Sequence, residues 1–285
     1  MDTPKPGIYP DASFADYLSW DAASHSKLWP LTRSAAHARW NLDHQTETKA
    51  MSFGRALHCS ILEPERFEDE YAEEIVGDGR TVPIRDARKA QVAAGLIVLG
   101  TTEWETLRGI TNFIEEHPEG ESIRNMLGAP GAREVSLVWD HPLSDGRVVR
   151  CKCRPDILLE APALAVDLKS TETADPINFA WDVVKYGYHL QASLVLSATT
   201  ALGMDTESYV LAALSKKGPY LCKAHILDQL WFDMGNELLD RLLCRWATCI
   251  ELDQWPGYGA AMEVLMPPPN AYKRVFGDED EEDDR

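Results

Sequence analysis

Residues 154–169 read RPDILLEAPALAVDLK, and this stretch decides the fold that we expect. Apolar residues dominate two runs, 148–159 and 163–168, which predict two β-strands. The short linker Glu160-Ala161-Pro162 predicts a turn between them, so the strands should be neighbours in one sheet.

Three charged residues of this stretch should lie close together in the folded sheet. Side chains alternate along a strand, so Asp167 and Lys169 should project from one face while Leu168 packs on the other. Asp156 lies near the end of the neighbouring strand and can reach the same point. Two carboxylates and a lysine at one sheet edge form a site for a hard cation with oxygen ligands, Mg²⁺ or Mn²⁺.

The expected chemistry follows from these charges. A bound metal polarises a phosphodiester and lowers the pKa of a bound water, and two metals about 3.5–4 Å apart could hold the attacking and leaving oxygens. Lys169 can orient or deprotonate that water. A lone Asp-x-Lys triplet is common at ordinary strand ends, so the surrounding sequence has to support this interpretation.

The rest of the chain predicts helices before and after a group of strands. Residues 1–20 are expected to be an irregular lead-in, and Glu134 is expected to begin a strand. The further elements are a helix from Met51 to Leu62, helical pattern over 86–127, a hairpin turn at Ser144-Asp145-Gly146, a helix from Asp175-Pro176 toward Gly203 broken at Gly187, strands at 207–214 and 220–226, and a long helix whose core stripe is Leu227, Leu230, Trp231, Met234, Leu238, Leu242, Trp246 and Ile250. This order predicts an α/β fold with a central mixed sheet flanked by helices.

Length and charge set limits on the class of protein. The 285 residues fit a single domain over 1–277, mainly helical over 1–130 and carrying the catalytic sheet over 131–255. The net charge is −18, of which −6 falls in the tail 278–285, DEDEEDDR, which we expect to be disordered. The acidic balance argues against a generic nucleic-acid binder, although metal ions and a local basic groove can offset it. No apolar run predicts a membrane span and the N-terminus lacks a signal-peptide pattern, so a cytoplasmic protein with reduced cysteines is expected.

Several separated motifs occur together in the order seen in one known family. They are Ser24-His25-Ser26-Lys27-Leu28, Ser34-Ala35-Ala36-His37, Gly54-Arg55-Ala56-Leu57-His58, Leu62-Glu63-Pro64-Glu65, Cys153-Arg154-Pro155-Asp156, Asp167-Leu168-Lys169-Ser170-Thr171 and Tyr186-Gly187-Tyr188-His189-Leu190-Gln191-Ala192. In these motifs the chain resembles the RecE-type phage and prophage exonucleases (exodeoxyribonuclease VIII-like) of the PD-(D/E)xK superfamily. The resemblance implies a restriction-endonuclease-like core with a helical N-terminal part.

The resemblance also implies roles for individual residues. His58, Asp156 and Asp167 would be metal ligands, with the main-chain carbonyl of Leu168 as a further ligand, and Lys169 would be the catalytic lysine. Two Mg²⁺ or Mn²⁺ ions per site are implied. The resemblance also assigns DNA contacts beside the site to a helix motif, Tyr188 and Gln191. Where many superfamily relatives place a tyrosine four residues after the glutamine, this chain has Val195, which leaves the role of Gln191 open.

Other residues allow two interpretations each. Taken alone, His58 would more often be a core histidine, since it lies on the apolar face of its helix. Glu134 could supply a further carboxylate to the metal or to a DNA end, or could be an exposed strand-end residue. Arg150, Lys152 and Arg154 recur at period two and could neutralise phosphates, or could form a solvated strand edge. The scattered cysteines match no cluster arrangement, so no iron–sulfur cluster is expected.

The function implied by the resemblance is digestion of the 5′ strand at double-stranded DNA ends, which leaves 3′ overhangs for recombination by strand annealing. The implied partners are DNA ends and a RecT-type single-strand annealing protein, with the enzyme as a homo-oligomeric ring in a bacterial host. Alternatives are a nuclease of the same fold acting on single-stranded or flap DNA, and a non-catalytic module that binds DNA ends.

Overall fold

The computed structural model describes residues 3–276 except 45, 47, 205 and 270. The helices are α1 (Phe14–Ser19), α2 (His25–Leu28), α3 (Ala35–Asp43), α4 (Lys49–Leu62), α5 (Pro64–Glu70), α6 (Val82–Ala93), α7 (Thr101–Glu116), α8 (Glu121–Gly128), α9 (Pro176–Tyr186), α10 (Tyr188–Ala201), α11 (Gln229–Leu252) and α12 (Ala271–Phe276). The strands are β1 (Gly7–Tyr9), β2 (Tyr71–Glu73), β3 (Ile97–Leu99), β4 (Gly131–Arg133), β5 (Ser136–Pro142), β6 (Val148–Cys153), β7 (Ile157–Glu160), β8 (Ala163–Thr171), β9 (Ser208–Ser215) and β10 (Cys222–Ile226). The predicted acidic tail lies outside the described residues.

A five-stranded mixed sheet forms the centre of the fold, in the order β10-β9-β8-β7-β4. Strands β8 and β9 run parallel, and the other neighbours in this sheet are antiparallel. A three-stranded sheet, β1-β5-β6, and a parallel pair, β2-β3, complete the strands of the described chain. The expected α/β fold with a central mixed sheet flanked by helices is confirmed.

The central sheet separates two hydrophobic cores. The alternation along β8 sends Ala165 into one core and Val166 and Leu168 into the other. The first core includes α10 and α11, whereas the second is covered by α4 and α7. Because β8 is packed on both faces, a charged side chain on it can be accommodated only where it finds partners.

The run 148–159 is two strands, so the prediction of one strand was wrong. Strand β6 pairs with β5 in the smaller sheet, whereas β7 pairs with β8 and β4 in the central sheet. Pro155 lies between them and has no amide hydrogen for a ladder, which favours a change of direction there. Asp156 therefore lies at the junction of the two sheets.

The N-terminal lead-in, expected to be irregular over residues 1–20, contains a strand and a helix in its described part, residues 3–20. Strand β1 pairs with β5, and α1 begins with a capping box in which Ser13 and Asp16 bond each other's backbone N–H. The sequence did not predict β1, β2 or β3 because each has only three residues. Glu134 does not begin a strand either: it lies between β4 and β5 with φ of 50°.

The predicted helices are largely confirmed, including the break at Gly187. Gly187 has φ of 70°, and a Cβ added there would lie 2.4 Å from the Trp29 ring, so glycine both ends α9 and admits the indole. The predicted core stripe of α11 is partly wrong. Leu242 and Trp246 are buried as expected, whereas Leu230, Met234 and Ile250 are exposed and the inward face instead includes Phe232, Leu239 and Leu243.

Candidate active site

Asp156 and the strand β8 are held together by reciprocal main-chain contacts. The Leu168 N–H donates to Oδ2 of Asp156 at 2.6 Å, and the Asp156 N–H donates to Oδ1 of Asp167 at 3.3 Å. Both aspartates are buried. The structure thus brings the two predicted carboxylates to one place, where the Asp167 side chain holds the Asp156 backbone and the Asp156 side chain holds the Leu168 backbone.

His58 reaches the two aspartates from α4, which covers the second core. Helix α4 is capped by Thr48 and buries Leu57 and Cys59 beside the histidine. Nε2 of His58 lies 2.9 Å from the Leu168 carbonyl oxygen, and Nδ1 lies 3.3 Å from Oδ1 of Asp156. The predicted histidine, carboxylate and carbonyl ligands are therefore neighbours.

The same contacts set the ionisation of the pair. Burial opposes the charge on the imidazole, but the Asp156 carboxylate and its hydrogen bond raise the pKa of His58 to about 9. Burial also opposes ionisation of Asp156, yet the His58 imidazolium holds the pKa of Asp156 below its usual range. In the metal-free protein the two groups form an ion pair near neutral pH.

Glu134 completes a cluster of three possible ligands. Its backbone N–H donates to the Asp156 carbonyl at 2.9 Å, which the left-handed backbone at this position allows. One ligand atom from each of Glu134, His58 and Asp156 lies within 4.8 Å of the others. Burial and the Asp156 charge raise the pKa of Glu134, although Arg154 opposes this from a Nε–Oε2 distance of 2.8 Å.

The donor set fits a hard divalent cation. It offers two carboxylates and one imidazole nitrogen whose ligand atoms lie within 4.8 Å of one another, and the Leu168 carbonyl lies 2.9 Å from the same imidazole. Oxygen-rich sets with a single imidazole suit Mg²⁺ and Mn²⁺ better than soft metals. The number of ions per site stays a prediction.

Asp167 lies outside this three-ligand cluster. Its side chain is fully buried, and Oδ2 accepts hydrogen bonds from the Tyr209 hydroxyl and from Nζ of Lys169 at 3.4 Å. Burial and the charge of Asp156 raise the pKa of Asp167, against the opposing effect of Lys169. Sequence reasoning missed Tyr209. Tyr209 lies on β9 opposite Ala165 of β8, and Ala165 is two residues before Asp167. This neighbourhood could be inferred only once the register between β8 and β9 was known.

Lys169 is fixed on three sides. Its Nζ donates to Oε1 of Gln191 at 2.9 Å, lies 4.8 Å from the Tyr188 ring centroid, and faces Asp167. Burial would lower the pKa of Lys169, but Asp167 and Asp156 outweigh it and raise the pKa. Tyr188 and Gln191, predicted to contact DNA, therefore contact the lysine in this structure, and their DNA contacts stay a prediction.

The basic residues at period two are held within the protein. Lys152 is buried, and its Nζ donates to the main-chain carbonyls of Tyr17, Leu18 and Trp20, the last at 2.7 Å. Arg150 pairs with Asp140, and Arg154 bonds Glu134 and also Oγ of Ser136 at 2.6 Å. Lys152 and Arg150 fasten the N-terminal segment and the smaller sheet, whereas Arg154 positions a ligand of the cluster.

Taken together, a mixed sheet with Asp156 immediately before β7 and Asp167 and Lys169 on the adjacent strand β8 defines the PD-(D/E)xK class of protein. The chain belongs to the family described as PDDEXK-like domain of unknown function (DUF3799), whose model matches residues 24–266.

One solved structure has the same fold. A candidate exonuclease from Eubacterium rectale has a TM-score of 0.60 at 12% identity, with 93% of this chain and 98% of that chain covered. The protein SSO0001 matches at a TM-score of 0.31 and 14% identity, covering 70% and 87%. No curated protein matches the sequence. In the part of the chain that the structure describes, no helix has the length and hydropathy to cross a bilayer.

Proposed function

We propose that the protein is a metal-dependent exonuclease that digests the 5′-terminated strand at double-stranded DNA ends and leaves 3′ overhangs. The observation that carries the proposal is the convergence of Glu134, His58 and Asp156 on one point, beside a lysine that Gln191 and Tyr188 hold in place. A cation cluster next to an oriented ammonium group is an arrangement suited to phosphodiester hydrolysis.

The side chains have separable tasks in this proposal. His58, Asp156, Glu134 and the Leu168 carbonyl would hold a divalent cation, which when bound polarises the phosphodiester and acidifies water. Lys169 stays protonated beside Asp167 and donates to the attacking water or to a phosphate oxygen. Gln191 accepts from Nζ and leaves its remaining hydrogens for the substrate.

Three findings support this function over other uses of the fold. The family is a PDDEXK-like domain, the E. rectale protein with the same fold carries the name of an exonuclease, and the motifs around His58, Asp156 and Lys169 resemble RecE-type exonucleases. The polarity, the requirement for a duplex end and the role in recombination rest on that last resemblance. So do a RecT-type annealing partner and a ring-shaped oligomer.

The deciding experiment is digestion of linear duplex labelled at the 5′ or 3′ end, in Mg²⁺ or Mn²⁺, beside a covalently closed circle. We expect the 5′-labelled strand to shorten and the circle to survive. Prompt cleavage of the circle would indicate an endonuclease, and preference for single-stranded or flap DNA would favour the alternative within this fold. Binding of ends without hydrolysis under any divalent metal would indicate a non-catalytic module.

Single substitutions then test the site. Asp156→Asn, Asp167→Asn and Lys169→Met should each reduce hydrolysis by about 10²–10³-fold, a loss typical of removing one group that stabilises the transition state. Full activity in any of these variants would exclude that residue from the mechanism. Arg39→Ala, which removes an exposed ion pair on α3, is the matched control and should cleave like the unmodified protein.

A further inference from the structure

A line of aromatic rings leads from Lys169 to the surface. The Tyr188 ring lies beside the Lys169 ammonium group, and the Tyr186 ring stacks on Tyr188 with centroids 5.6 Å apart and planes at 27°. Tyr186 is 43% exposed, whereas Tyr188 is half-buried. We call Tyr188 and Tyr186 the tyrosine pair; it connects the buried lysine with solvent.

The backbone between the two tyrosines makes this stacking possible. Residues two apart do not face each other in a continuous helix. Gly187, with φ of 70°, ends α9 and starts α10 between them, and the Trp29 ring fills the space where a Cβ would lie. The pair is therefore a built feature of the α9–α10 turn.

A positive charge accompanies the exposed ring. Nζ of Lys185 lies 4.7 Å from the Tyr186 ring centroid at the last turn of α9. Lys185 has no carboxylate within 4.0 Å among the described ion pairs, whereas Lys216 and Lys217 both pair with Glu172. In a chain of net charge −18, an exposed lysine with Tyr186 as its contact, and with Asp182 acting only from a greater distance, provides local attraction for an anion.

From this arrangement we propose that Tyr186 and Lys185 bind one unpaired nucleotide of the substrate strand next to the scissile phosphate. A base can stack on the Tyr186 ring when the Lys185 ammonium, which lies over that ring in this structure, moves to contact the phosphate of the same nucleotide. One ring beside one cation matches one nucleotide whose base is free to leave the helical stack. The inference rests on the proposed function and narrows its preferred substrate to DNA ends with an unpaired 5′-terminal nucleotide.

The test compares kcat/KM of the full-length protein on duplexes with an unpaired 5′ nucleotide and on blunt duplexes. We expect Tyr186→Leu to lower kcat/KM on the unpaired end about tenfold, through KM, within the range measured for one base–aromatic stack. Tyr186→Phe keeps the ring and should retain most of this efficiency. Lys185→Gln should weaken binding more at low salt than at high salt.

Tyr258→Leu is the matched control, because that exposed tyrosine contacts His37 on another part of the molecule. Equal kcat/KM for a folded Tyr186→Leu variant and the unmodified protein on unpaired ends would overturn the inference, and thermal melting reports folding. A loss as large on blunt as on unpaired ends would also overturn it. If Tyr186→Leu sediments differently from the unmodified protein in the absence of DNA, the Tyr186 ring belongs to a contact between copies of the protein. This result would likewise overturn the inference.

A binding measurement separates this inference from the proposed function. DNA with 2-aminopurine as its unpaired 5′ base should lose fluorescence on binding in Ca²⁺, and Tyr186→Leu should abolish that quenching. This result would support the nucleotide contact even if no DNA were cleaved in Mg²⁺ or Mn²⁺. Binding without quenching, in a protein that does cleave DNA, would refute the contact and leave the proposed function standing.

Discussion

The pair formed by His58 and Asp156 should make the stability of the metal-free protein depend on pH. The folded-state pKa of His58 is about 9, against an ordinary value of 6.5. A group with a raised pKa stabilises the fold fully below its unfolded value and loses that contribution as the pH rises through the folded value. The relevant window is therefore from about pH 6.5 to about pH 9. The lowered pKa of Asp156 reflects the same interaction and acts only at acidic pH.

The rise in the pKa of His58 sets an upper limit on the stability that is lost as the pH rises. The rise in pKa corresponds to about 3.4 kcal/mol at 1.36 kcal/mol per pH unit. The His58 side chain is 26% exposed, so solvent screens part of the attraction. We expect about 2 kcal/mol to be lost between pH 6.5 and pH 9.

The assay is urea unfolding in EDTA at half-unit steps of pH, for the unmodified protein and for His58→Gln. The difference in the free energy of unfolding between the two proteins is taken at each pH. This removes the titration of the groups that are the same in both proteins. The difference should fall by about 2 kcal/mol across the window. The control repeats the comparison in an Asp156→Asn background, where the free-energy difference caused by His58→Gln should no longer fall across the window because the carboxylate that raises the pKa of His58 is gone. A free-energy difference that stays constant with Asp156 in place would refute the ion pair.

Four further predictions follow from the contacts of single residues. Glu134→Gln should weaken Mn²⁺ binding at least about tenfold by calorimetry, because a ligand loses its charge; unchanged affinity would remove Glu134 from the cluster. Gln191→Leu should lower the rate of hydrolysis at least about tenfold while leaving Mn²⁺ affinity intact, because it releases Lys169 alone; a parallel loss of both would mean a wider disruption. Gly187→Ala should cost more than about 2 kcal/mol in urea unfolding, since φ is positive and Trp29 blocks a Cβ; near-normal stability would contradict this geometry. Lys152→Met should cost about 1–3 kcal/mol and free the N-terminal segment for proteolysis, because buried carbonyls lose their donor; unchanged protease resistance would count against this role.

The sequence predicted the parts of the fold that rest on long periodic segments. Helix α4, the break at Gly187 and the strand that carries Asp167 and Lys169 all have a pattern strong enough to read without tertiary information. The short strands β1, β2 and β3 do not, because three residues show no period. The face of α11 was misplaced for a different reason: its apolar residues cover more than one side, so packing against α10 decides which are buried.

The candidate site was predictable in its residue types more than in its contacts. The predictions named His58, Asp156, Asp167 and the Leu168 carbonyl together as ligands. The structure places His58 beside Asp156 and the Leu168 carbonyl, whereas Asp167 lies outside the three-ligand cluster. Tyr209 could not be found, because its contact with Asp167 depends on the register between two strands separated by two helices. The partners of Lys152 could not be found either, because they are carbonyl groups, which every residue possesses.

Because hydrophobic cores lie on both sides of the central sheet, the site is complete only after both helical layers have folded onto that sheet. His58 arrives with the helices that cover one face, whereas Gln191 and Tyr188 arrive with those that cover the other. The carboxylates of β7 and β8 lie between the two layers and depend on both for their partners. A chain in which either layer has yet to dock has acidic residues but no complete centre. Assembly of the complete site therefore requires both layers, and a truncated or half-synthesised chain that lacks one of them would lack the site as well.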